Sequence, residues 1–123
     1  MNYHHFECRS RGDGTVFQCH FVFLQNAISL RHSDTIDVRF LVNGKRITVA
    51  LPHVAFGEYA RRAGAVLTDD QAAAVAALYL TESLENGGDV ENMAVSPDRV
   101  LDLAAGVTGT PGSLAPLSER LTE

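Results

Sequence analysis

At 123 residues, with 46% hydrophobic and 20% charged side chains, the chain has the balance of one folded domain and not that of a disordered segment. Its formal net charge of −5 is unevenly spread: residues 1–62 carry seven Arg and one Lys against five acids, a balance of +3, and residues 63–123 carry two Arg against ten acids, a balance of −8. The longest apolar run, AAAVAALYL at 72–80, is too short to cross a bilayer, and the N-terminus lacks the basic start and apolar stretch of a signal peptide. The expected compartment is therefore the cytoplasm, where thiols stay reduced.

Two stretches at the start alternate in polarity, YHHFECR at 3–9 and TVFQCHFVFL at 15–24. A period of two with aromatic content reads as a pair of strands. Strict alternation places Phe17, Cys19, Phe21 and Phe23 on one face, and Val16, Gln18, His20 and Val22 on the other. A four-residue loop at 11–14 sets Cys8 opposite Phe17, Phe6 opposite Cys19 and His4 opposite Phe21, so the apolar sets coincide. A five-residue loop would set Phe17 opposite Glu7. On the other face the preferred register sets His5 opposite His20, and Glu7 opposite Gln18.

A short strand is expected at 27–31. The stretch TIDVRFLV-NG-KRITVAL then reads as a second hairpin, because Asn43-Gly44 supplies the positive φ angles of a type I′ turn. It pairs Phe40 with Ile47, Val38 with Val49 and Ile36 with Leu51 on one face. Asp37, Arg39, Leu41, Arg46, Thr48 and Ala50 take the other.

Pro52 ends the strand pattern and suits the first turn of a helix, expected over His53–Ala63 and stopped by Gly64. Thr68-Asp69-Asp70-Gln71 fits a capping box that opens a second helix reaching about Glu85. Ala73, Ala76, Ala77, Leu80 and Leu84 form one stripe of it, while Val75 and Leu78 lie nearly opposite. A helix apolar on both sides needs the sheet on one side and a third helix or a second subunit on the other. Residues 90–95 are compatible with a short edge strand. Ser96-Pro97-Asp98 starts a third helix, expected to run to about Ala105 with Gly106 as its stop. Strands first and helices after imply an α+β fold, an antiparallel sheet of four to five strands in two hairpins with about three helices on one face. Residues 1–107 form this one domain, 1–51 β-rich and 52–107 helical. Residues 108–123 read as a tail or docking arm through Leu114, Leu117 and Leu121.

Four groups of residues are candidates for function. Arg11-Gly12-Asp13 spells an adhesion tripeptide, but Gly and Asp also suit a hairpin tip for backbone reasons alone. Cys8 and Cys19 lie diagonally on the apolar face, about 7 Å apart or somewhat more, and read as buried thiols acting as small hydrophobes. His5, His20 and Glu7 could together hold a divalent metal with a position open to water, which is the one cofactor the sequence suggests. Arg39, Leu41 and Arg46 share the outer face of the second hairpin as a partner-binding surface. With Arg31, Arg61 and Arg62 they could instead grip phosphates, although an acidic chain with one lysine is a poor nucleic-acid binder.

No nucleophile elbow, phosphate-cradling loop, zinc-protease motif or dinucleotide fingerprint is present in the sequence. The reading is a small non-catalytic interaction or regulatory module that works as a homodimer with a protein partner. A metal-dependent enzyme and a nucleic-acid-binding regulator are the alternatives. Nine Arg to one Lys, with abundant Ala, Val and Gly, fits the coding bias of a GC-rich bacterial or phage genome.

Overall fold

The computed structural model describes residues 3–27, 34–88, 90 and 93–108. In chain order the elements are β1 (His5–Arg9), β2 (Val16–Ala27), β3 (Thr35–Val42), β4 (Lys45–Pro52), α1 (His53–Ala63), α2 (Asp69–Glu85), β5 (Met93–Ala94) and α3 (Pro97–Thr108). The strands form one sheet in the order β1-β2-β3-β4-β5, and the helices follow the four long strands, so the chain is α+β. The first four strands pair antiparallel, while β5 pairs parallel with β4 through Val49↔Met93 and Ala50↔Ala94. A parallel neighbour needs a long crossover, and α1 and α2 provide it.

The first hairpin takes the four-residue register. His5 faces His20, Phe6 faces Cys19, Glu7 faces Gln18 and Cys8 faces Phe17. The loop closes with Ser10 N–H donating to Thr15 O at 2.8 Å and Gly14 N–H to Ser10 O at 3.0 Å. The second hairpin turns at Asn43 (φ 50°) and Gly44 (φ 82°), left-handed angles that favour this pair of residues. Ile36, Val38 and Phe40 accordingly face Leu51, Val49 and Ile47. Asn43 also ties the turn to β2: its side chain accepts from Gln18 N–H at 2.9 Å and donates to Val16 O at 3.2 Å.

One strand departs from simple alternation. Phe21 faces Phe40, but the next paired residue of β2 is Phe23, which faces Arg39, followed by Leu24 facing Val38. The extra residue, Val22, forms a bulge and shifts the parity of everything after it. Phe23 therefore does not join Phe17, Cys19 and Phe21 inside, as alternation had led us to expect. It lies on the outer face, and Leu24 takes the inner position. The parity shift also brings Asn26 to the end of the sheet where α1 begins, and its Oδ1 lies 3.0 Å from His53 Nε2. The expected strand at 27–31 is represented only by Ala27, which closes β2; 28–31, with Arg31, lie outside the described residues.

The inner face carries Cys8, Cys19, Val38, Phe40, Val42, Ile47, Val49 and Leu51, all buried in one cluster with residues of the three helices. Both thiols are free, and burial pushes them up, Cys19 to about 12.

Helix α1 starts without a side-chain cap, but its first N–H, that of His53, donates to Asp34 O at 3.0 Å. It ends at Gly64, whose φ of 74° is the left-handed cap conformation. Helix α2 opens with the expected capping box: Thr68 Oγ1 accepts from Gln71 N–H at 3.1 Å, and Gln71 Oε1 accepts from Thr68 N–H at 2.9 Å. Its stripe of Ala73, Ala76, Ala77, Leu80 and Leu84 is buried, and so is Val75 on the other side. The sheet and α3 both pack on it, so α3 within the same chain supplies a second cover. Arg99 of α3 bridges the two helices by an ion pair with Glu82. Helix α3 begins as expected, with Ser96 Oγ accepting from Arg99 N–H at 3.3 Å, but it does not stop at Gly106 and runs to Thr108. A glycine in the last turn costs a helix only about 1 kcal/mol, which packing can offset.

The N-terminus is latched to α2. The Tyr3 hydroxyl donates to Asp70 Oδ1, and this bond, with burial and the charges of Asp70 and Asp69, pushes the phenol from 10.0 to about 12. A raised folded value means the latch stabilises fully below pH 10 and is lost as pH climbs toward 12. The urea midpoint of the native chain should therefore fall over that window more steeply than that of Tyr3→Phe, which has no proton to lose there. Parallel pH profiles for the two proteins would contradict the latch.

Candidate interaction surface

Alternation along four strands sets the outer face out as rows. One row runs His5, His20, Leu41, Arg46 across β1 to β4; the next runs Phe23, Arg39, Thr48; a third runs Gln25, Asp37, Ala50. The bulge brings Phe23 into this array, and Val22, the bulged residue itself, lies between the first two rows. Val22 is 47% exposed and Phe23 37%, high values for large apolar side chains in the middle of a sheet.

Val22, Phe23, Arg39, Leu41 and Arg46 line one depression of about 320 Å³. The Arg39 guanidinium is held in place. Its Nε donates to Thr48 Oγ1 at 2.8 Å, and its Cζ stands 5.4 Å from the centroid of the Phe23 ring. The depression thus has an apolar floor and a positive rim, one of whose two cations is already held in place. Asp37, in the following row, accepts from Thr35 Oγ1 at 2.8 Å and brings the opposite charge to the same face.

All three residues assigned to partner binding, Arg39, Leu41 and Arg46, are brought together here. Val22 and Phe23 are the two that alternation missed. Their signal was the run Phe21-Val22-Phe23-Leu24, four apolar residues in a row, which marks a strand whose parity is open.

The proposed metal ligands are arranged differently. His5 and His20 do meet, their rings stacked at 4.4 Å with 12° between planes. Glu7 is engaged elsewhere: Gln18 donates from Nε2 to Glu7 Oε2 at 2.6 Å, and Gln18 Oε1 lies 3.3 Å from His5 Nε2. Stacked imidazoles present faces to each other and do not aim two nitrogens at one point. Among the described residues no three His, Cys, Asp or Glu side chains gather as a metal would require.

Among the described residues the arginines do not form a single cluster either. Arg61 and Arg62 lie on α1 as ion pairs with Glu58, Arg62 Nε at 2.7 Å, and hold that carboxyl below its usual range. At the first hairpin tip, Arg11, Gly12 and Asp13 are exposed, and each has a local structural use. Arg11 N–H donates to Glu85 O at 2.9 Å, tying the tip to the end of α2. Asp13 Oδ1 accepts from Thr15 N–H at 3.0 Å, a bond that holds the Asp13 carboxyl below its usual range.

Among the described residues no helix is long and apolar enough to cross a membrane. Comparison with protein-family models, curated proteins and solved structures finds no match for the chain.

Proposed function

We propose that the chain is a small non-catalytic interaction module of the cytoplasm that works as a homodimer, with the outer sheet face as the contact between copies. The observation that carries this reading is the depression of Val22, Phe23, Arg39, Leu41 and Arg46, an exposed apolar centre inside a rim of arginine. Exposed apolar groups with an arginine rim are the composition of an interface core, not of an ordinary solvated sheet face. A twofold contact must be self-complementary, each patch meeting its own copy. The outer face has what that requires: Arg46 and Asp37 lie in rows on either side of Arg39, so reversing one copy against the other sets opposite charges together. The free buried thiols fit a reducing compartment.

Light scattering on the full chain, at concentrations well above micromolar, tests the proposal. The expected mass is twice the 13.3 kDa of the chain. Leu41→Arg, which adds a third cation to the depression, should return it to monomer without changing the far-ultraviolet circular dichroism. A monodisperse monomer for the unaltered protein would overturn the homodimer.

A further inference from the structure

Residues 109–123, the expected tail or docking arm with Leu114, Leu117 and Leu121, lie outside the described residues. The depression on the outer sheet face is formed by described ones, and its charges are one-sided. Arg39 faces Thr48 and Leu41 faces Arg46, so the two arginines lie on one diagonal of β3 and β4. Such diagonal neighbours are about 7–8 Å apart. Both line the depression with Val22, Phe23 and Leu41, and no acid among the described residues joins them there. Asp37 lies in the row beyond Arg39, and its carboxylate accepts from Thr35 Oγ1. Two cations side by side repel each other, and an anion between them would turn that cost into attraction.

The donors for such an anion are in place. Arg39 spends Nε on Thr48, and its guanidinium is steadied over the Phe23 ring. Among the described residues its two terminal nitrogens make no hydrogen bond or ion pair, and neither does the exposed Arg46 side chain. A guanidinium held in this way offers a fork that matches a carboxylate. Beside the fork lie exposed Val22 and Phe23, an apolar surface for the rest of a ligand. The volume of about 320 Å³ is at the small end of ligand sites.

We infer that this depression binds a small aromatic carboxylate, its charge between Arg39 and Arg46 and its ring against Val22, Phe23 and Leu41. The consequence for assembly rests on the homodimer proposed above. There Arg46 meets the carboxylate of Asp37 from the opposite copy, and the apolar centre meets its own counterpart. The ligand supplies the same two elements, so it competes with the second copy and separates the pair.

The probe is naphthoate, titrated calorimetrically into the full chain at neutral pH, with naphthamide as its neutral isostere. Naphthoate should bind saturably, one per chain, and about tenfold more tightly than the amide, the worth of a charged hydrogen bond. Arg46→Gln should weaken the acid about tenfold and leave the amide unchanged. Equal affinities for acid and amide overturn the site, as does an Arg46→Gln chain that binds the acid as the native one does. The absence of saturable binding at millimolar probe also overturns it. Light scattering during the same titration reads the competition: the mass should fall from dimer to monomer as the probe is added. A dimer that persists while the probe saturates overturns the competition and places the contact between copies elsewhere. A chain that is monomeric before any probe is added overturns the homodimer alone, and the titration still decides the site.

Discussion

Replacing Phe40 by alanine is expected to cost about 3–5 kcal/mol, the largest loss from any single side chain on β3. Phe40 is fully buried on that strand, with β2 on one side and β4 on the other. It faces Phe21 of β2 and Ile47 of β4, and it meets Phe6 and Phe21 edge-on at ring-centre distances of 5.9 and 6.1 Å. Such aromatic pairs contribute about 0.5–1.5 kcal/mol beyond the area they bury. Truncation therefore removes a transfer contribution, leaves a cavity that three neighbouring strands cannot easily fill, and breaks two ring contacts at once. Domains of this size are commonly stable by about 5–15 kcal/mol, so the variant should lose a fifth or more of its margin. Urea titration measures the effect, with Phe40→Leu as the control that keeps most of the volume and should lose clearly less. A loss below about 1 kcal/mol for the alanine variant would mean that Phe40 is not the centre of this core.

The features of this fold that could be read from sequence are those in which a local rule has one solution. Asn43-Gly44 admits a two-residue turn, and the turn then fixes every pair from Val42↔Lys45 to Thr35↔Pro52. In the first hairpin the four-residue loop, unlike a five-residue one, lets Phe6 and Cys8 share a face with Cys19 and Phe17. Thr68 and Gln71 announce their capping box by spacing alone. Features decided by distant residues were harder to read. Nothing within 90–95 says that Met93 will lie parallel to Val49, since that depends on where α1 and α2 return the chain. Gly106 looks like a stop and is passed, because the buried Leu103 and Ala104 before it keep α3 packed on α2. The candidate surface divides along the same line. Arg39, Leu41 and Arg46 follow from the register of one hairpin, whereas Val22 and Phe23 depend on a bulge that β3 and α1 select.

That selection can be tested directly, because strict alternation and the bulge make opposite predictions for two adjacent residues. Without the bulge Phe23 would face Val38 inside the sheet, and Leu24 would point outward. With it Leu24 faces Val38, which is fully buried, and Phe23 faces Arg39 on the outer side. The physical reason for the bulged form lies further along β2. One extra residue sends Gln25 outward opposite Asp37, and turns Asn26 to the side where His53 Nε2 lies 3.0 Å from its Oδ1. Strict alternation would instead turn Gln25 inward opposite Ile36 and leave Asn26 away from His53. Leu24→Asp should therefore be the damaging change, costing about 2–4 kcal/mol by placing a carboxylate beside Val38 in apolar surroundings. Phe23→Asp should change the urea midpoint little, within about 0.5 kcal/mol, as surface substitutions do. Its effect belongs to association: losing the ring under Arg39 from the centre of an interface should weaken self-association by about 2 kcal/mol, some thirtyfold in dissociation constant. If Phe23→Asp unfolds the protein while Leu24→Asp is tolerated, the parity is the reverse of that described, and Phe23 leaves the interaction surface. If both are tolerated and the mass is unchanged, the fold stands and the outer face is not where two copies meet.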